Sequence, residues 1–222
     1  MQISFRLLIA ASFALFGLSF ATSAASALRS IEVRGGERGV TASSVLTFGE
    51  TGRAEGTSII CNVTLLRTVN RVISKIAGSI IGSTTGVAIA VETCRSGIGR
   101  VNEVTALRRV GESSCAGTPR LCTVSWPLVY DSFSGPLPEI SAVNFHIRGA
   151  ALRFTLSGTV SCLYAGEAFG ILNVERRTIP RATANSAATR MARAEGSIFC
   201  PFAAITFVGN FTVRPTLTIA LL

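Results

Sequence analysis

The chain has 222 residues, 21 Lys and Arg against 12 Asp and Glu, a formal charge of +9, six cysteines and one histidine. That length fits a single domain with a true core, and a lone histidine without any C-x-x-C leaves zinc without its usual ligands. The arginines are scattered, with no basic run interleaved with aromatics, which excludes the usual nucleic-acid footprint. Lys75 is the sole lysine and stands in no glycine-rich phosphate loop, so neither a metal nor a cofactor is expected.

In chain order, the first element reads as a signal peptide. Arg6 is the only charge of a short n-region, residues 7–21 are apolar, and Ala25, Ser26 and Ala27 supply an A-x-A cleavage site. Residues 1–27 are therefore expected to be removed, leaving 28–222 as one secreted or envelope-associated domain. A retained anchor is disfavoured because the apolar run is short for a span of ~20 residues. No later stretch is apolar and long enough for a transmembrane helix.

Export changes how Cys61, Cys94, Cys115, Cys122, Cys162 and Cys200 are read. An even number in an oxidising compartment predicts disulfides. Six cysteines allow 15 pairings and sequence does not choose among them strictly. The natural set joins Cys61 to Cys94, Cys162 to Cys200, and Cys115 to Cys122 across a small loop.

The mature part opens with a strand over residues 44–50. "RAEG" follows at Arg53 and recurs at Arg193, each time before an apolar run and a cysteine. The repeat predicts a loop ending in Glu-Gly, then a strand stapled through its cysteine, and it leaves two pseudo-symmetric halves open. In "TSIICNVTLL" Ile59, Cys61, Val63 and Leu65 share one face, against Asn62 and Thr64. Over residues 68–82, Val69, Val72, Ile73, Ile76, Ala77, Ile80 and Ile81 follow helical spacing, which predicts a short helix. Their β-branched side chains argue for a strand hairpin instead.

Residues 86–94 read as a strand ending at a cysteine, and "VSWPLVYDSF" as one in which Pro127 marks an edge or bulge. The clearest pattern is "AVNFHIRGAALRFTLSGTVSC". Val143, Phe145 and Ile147 alternate with Asn144, His146 and Arg148, and after Gly149 the alternation resumes. A two-residue period with one wet face marks half-buried antiparallel strands. Residues 176–196 read as a long irregular stretch, and two more strands close the chain.

Few catalytic groups are available. His146 and Asp131 are the sole base and sole Asp for a Ser-His-Asp triad, and no G-x-S-x-G elbow occurs. Glu139, Glu167 and Glu175 are scattered candidates for a carboxylate pair. Trp126 and Tyr130, beside Pro127, suit either a stacking platform or a core plug.

"PLVYDSFSGPLPEISAVNFHIRGAALRF", with "CLYAGEAFGILNV" and "CPFAAITFVGNFTV", resembles an uncharacterised family of secreted, cysteine-stapled, β-rich actinobacterial proteins. The match is one of strands; Tyr164 stands one place further from its cysteine than in that pattern. The resemblance implies an exported domain and carries over no active site.

The expected fold is an all-β antiparallel sandwich with one short helix, stabilised by disulfides. The expected function is that of a non-catalytic structural or binding module of the envelope or extracellular space. Its ligand-binding candidates are Trp126, Tyr130, His146, Arg148 and Arg153, and its partner is an anionic envelope glycan or polymer. Two alternatives stand beside it: a secreted hydrolase using the glutamates or His146, and a membrane-embedded β-barrel or pore. The strands look shorter than the ~9–11 residues such a barrel needs.

Overall fold

The computed structural model describes residues 30–35, 39–49, 58–109, 112–113, 122–135, 140–174, 182–185 and 191–221. The expected leader, the first RAEG, Glu139, Glu175 and the Cys115–Cys122 pairing lie outside the described residues. Among the described residues the regular structure is all strand. The strands are β1 (Ser30–Arg34), β2 (Val40–Gly49), β3 (Ile59–Val69), β4 (Val72–Ser74), β5 (Ile80–Ser96), β6 (Val101–Arg109), β7 (Glu112–Ser113) and β8 (Cys122–Ser134). They continue with β9 (Ala142–Leu156), β10 (Ser161–Val174), β11 (Ala182–Asn185), β12 (Met191–Gly196), β13 (Ala204–Val208), β14 (Asn210–Arg214) and β15 (Thr218–Leu221).

Every pairing is antiparallel, and the main sheet closes on itself. β2 pairs with β3, β3 with β5, β5 with β8, β8 with β9 and β9 with β10. From β10 two short routes lead back to β2: β12 then β13 at one end, β11 then β14 at the other. Two separate facing sheets, as in the expected sandwich, are not seen among the described residues; the main sheet runs in one closed circuit, a barrel, from which β6 and β7 branch at β9. The helix expected over residues 68–82 is absent. β3 ends there, β4 follows, a turn reverses the chain and β5 begins. The β-branched Val and Ile of this stretch fit the pleat better than a helix. The stretch expected to be irregular, 176–196, contains β11 and β12.

Strand period and barrel closure together sort the side chains. On β2 and β3, Val40, Ala42, Leu46, Phe48, Ile59, Cys61, Val63 and Leu65 point inward and are buried. Thr41, Ser43, Thr47, Asn62 and Thr68 face out; Val45 and Ile60 are the apolar exceptions. On β9 the inward phase changes at Gly149. Val143, Phe145 and Ile147 are buried before it, and Ala150, Leu152, Phe154 and Leu156 after it. Gly149 has φ +68°, and the pairing with β10 slips between Gly166 and Ala168. A glycine in the left-handed region supplies the extra residue of a bulge, which restores the apolar phase on the inside.

The two ends of the barrel are closed differently. At one end Phe48, Phe154 and Tyr164 stack edge to face, with centroids 5.3 and 6.1 Å apart. The Tyr164 hydroxyl donates to the carbonyl of the fully buried Phe202 at 3.2 Å. Both expected disulfides of the described residues lie here: Cys61–Cys94 and Cys162–Cys200, closing separations of 33 and 38 residues. Cys94 sits where β5 bulges, between its pairings at Ala90 and Arg95. The second RAEG is not a loop: it lies within β12, and Cys200 follows in a turn. Gly196, with φ +137°, pairs with Cys162, and a side chain there would meet Cys200 Sγ at 2.6 Å. Its glycine is needed to seat the bridge.

The opposite end carries a separate small sheet, in the order β15, β1, β4. It places Ile31, Val33 and Ile73 over the core. Glu32 joins it laterally, pairing with Arg34 at 2.8 Å and Arg71 at 3.1 Å.

Candidate functional site

The inward phase of β3 runs Ile59, Cys61, Val63, Leu65 and then Arg67. The period that buries four apolar groups also drives a guanidinium into the barrel. Arg67 is 7% exposed and, among the described residues, has no carboxylate beside it; its Nε–H has no acceptor. Burial pushes its pKa down from the usual value to about 10, so the group stays cationic at neutral pH. Phe145 of β9 and Phe211 of β14 each hold a ring centroid 5.6 Å from the guanidinium carbon. Such cation–π contacts offset part of the lost hydration.

A second unsatisfied group stands beside it. Thr84 is fully buried and its Oγ1 has no hydrogen-bond partner. Thr84 is the cross-strand partner of Arg67 on β5, so the two side chains share a face of the sheet. Trp126 follows in the same row on β8, but its indole N–H donates to the Leu107 carbonyl at 2.7 Å and is satisfied.

Two cavities meet at Arg67, each about 40 Å³. One runs toward the stapled end past Leu65, Ile89, Leu152 and Met191. The other runs toward the small sheet past Val69, Ile81, Val143 and Leu217. Arg67 and Phe145 line both, and Arg67 is the single charged residue in either lining among the described residues. Gly170 makes room for Phe145: a side chain there would meet the ring's Cζ at 2.6 Å.

The residues singled out in the sequence are dispersed over the barrel. Trp126 is 4% and Tyr130 2% exposed. Both belong to the core, as plugs and not as a displayed platform, and burial raises the Tyr130 pKa. Arg148 faces solvent at the Gly149 bulge. Arg153, on the outer wall, is engaged by Glu195 at 3.1 Å. Arg67 was not among them. Its only signal is that it falls on the apolar phase of "CNVTLLRTV", where a strand reading demands a hydrophobe.

The structure does bring Asp131 and His146 together. On the outer wall Asp131 Oδ1 lies 2.8 Å from His146 Nδ1, an arrangement that orients the ring. The other nitrogen, Nε2, faces Glu167 at 4.0 Å. Phe169 packs beside the imidazole, centroids 5.5 Å apart. The nearby Ser132 hydroxyl accepts from Asn144 Nδ2 at 2.8 Å. Among the described residues no hydroxyl or thiol is hydrogen-bonded to Nε2.

No group of His, Cys, Asp and Glu among the described residues is arranged to hold a metal ion. No described helix is long and apolar enough to cross a membrane. The two disulfides favour an extracellular or otherwise oxidising environment. No family model, curated protein or solved structure matches the chain.

Proposed function

We propose that the protein is an exported, non-catalytic binding module whose site is the barrel interior. The observation that carries this reading is the pair of apolar cavities meeting inside a closed wall. Ligand sites are typically concave, mostly apolar and furnished with a few convergent polar groups. The bridges Cys61–Cys94 and Cys162–Cys200 support work outside the reducing cytosol.

Two other readings are weaker on these observations. Several strands, such as the 15-residue β9, exceed the length a membrane barrel needs, so strand length gives no argument against a pore. The faces do: a membrane barrel turns its apolar side outward, whereas this wall turns Thr, Ser, Asn and Arg outward and most of its hydrophobes inward, Val45, Ile60, Ile80, Phe169 and Val208 being exposed. A hydrolase centred on His146 has no hydroxyl or thiol hydrogen-bonded to Nε2 among the described residues. Binding of an anionic glycan on the outer face would use Arg153 only after displacing Glu195.

The test is uptake of a neutral apolar fluorophore, N-phenylnaphthylamine, by the oxidised protein. Saturable one-to-one enhancement, reversed by decyl alcohol, is expected. A non-saturating signal, or none, would overturn the reading.

A further inference from the structure

The barrel interior holds an uncompensated cation where every other lining group is neutral. Among the described residues Arg67 has no ion pair, its Nε–H lacks an acceptor, and the adjacent Thr84 hydroxyl lacks a partner. Buried charges are ordinarily paired, and buried polar groups ordinarily hydrogen-bonded. Two neighbouring exceptions on one inward face, of which Arg67 lines both cavities and Thr84 stands opposite it across the strands, describe the complement of a missing group. That group must be an anion, must accept hydrogen bonds from a guanidinium and a hydroxyl, and must tolerate removal from water.

We propose that the ligand is an unbranched aliphatic monocarboxylate, with its carboxylate on Arg67 and Thr84 and its chain in one of the two apolar cavities. This rests on the interior being the binding site. A carboxylate matches the planar guanidinium fork and needs only one compensating charge. An inorganic phosphate or sulfate would leave the apolar lining unused, and an alkylammonium would meet a like charge. Each cavity of about 40 Å³ holds roughly three water-sized spheres. With the carboxylate where the cavities meet, the chain enters one of them; about three methylenes fill it, and a longer chain requires the lining side chains to give way. The Phe145 and Phe211 rings limit how the guanidinium can turn, which presents its N–H groups in a fixed place.

The experiment compares decanoate, decyl alcohol and decylammonium by calorimetry on the oxidised protein, the Arg67→Met variant and the Thr84→Val variant. Decanoate should bind the parent protein roughly 10- to 100-fold more tightly than the alcohol, the ratio a charge-assisted hydrogen bond supplies. Arg67→Met should erase that ratio, and a cooperative thermal unfolding transition reports that the variant is folded. Thr84→Val, nearly isosteric, should reduce it by about 3- to 10-fold. Equal binding of decanoate and the alcohol by the parent protein overturns the carboxylate assignment and leaves the interior site standing. A preference that survives Arg67→Met also overturns it. If none of the three amphiphiles binds, the interior site itself fails, and this inference with it.

Discussion

The stapled end and the strapped end of the barrel solve the same closure problem by different chemistry. At the stapled end, two disulfides and the Phe48–Phe154–Tyr164 stack fix strands to each other, and the Tyr164 hydroxyl is satisfied by the Phe202 carbonyl. At the strapped end a three-stranded sheet lies across the opening, joined by the Glu32 ion pairs. The unsatisfied pair Arg67 and Thr84 lies between them. The covalent bridges lie away from the polar pair.

Substitutions can break or sharpen this contrast. The largest loss is expected from Phe154→Ala, which empties the stack at the stapled end: about 3–5 kcal/mol, read by urea unfolding. Replacing Cys162 and Cys200 together by Ala should cost about 3–4 kcal/mol, since their 38-residue separation is no longer closed in the unfolded chain. If that double variant unfolds with the parent's midpoint, the stapled end is not the stable one.

In the middle of the barrel the sign reverses. Arg67→Met removes an unpaired buried charge and should raise the stability of the ligand-free protein by roughly 1–4 kcal/mol in the same assay. A loss instead would show that the Phe145 and Phe211 contacts more than compensate for desolvation. Gly170→Ala drives a methyl into the Phe145 ring and should cost about 1–3 kcal/mol while displacing one of the two rings over Arg67.

The smallest effect belongs to the strap. Arg34 first, then Arg71, hold the Glu32 carboxyl below the usual carboxylate range. A lowered native pKa stabilises the fold fully above the unfolded-state value, and the stabilisation is lost as pH falls through the lowered native value. Glu32→Gln should therefore lower the melting temperature slightly at neutral pH and leave it unchanged at about pH 2. A difference that persists in acid would mean that Glu32 acts by packing and not by charge.

Much of the wall was legible because its signal is local. Val143, Phe145 and Ile147 announce a half-buried strand by their spacing alone, and Gly149 marks the point where the phase changes. Residues 68–82 misled because Val and Ile at helical intervals also fit the end of β3, the short β4, a turn and the start of β5, and spacing could not weigh the pleat against the coil. The RAEG repeat was visible, but its second copy is strand and its cysteine lies in a turn, a difference set by pairing with β10. The proposed centre was the least legible. Arg67, Thr84, Phe145 and Phe211 come from four strands far apart in sequence, and nothing local marks them as neighbours.

By itself, the sequence determined the strand-rich character, because alternation is a property of short stretches; it pointed to the couplings Cys61–Cys94 and Cys162–Cys200 without fixing them, because cysteine number leaves the pairing open. Tertiary structure alone decided that the sheet closes on itself and that an arginine is left inside with no counter-ion among the described residues. Closure depends on the two short routes from β10 back to β2, and the fate of Arg67 on which side of the wall closure made the interior.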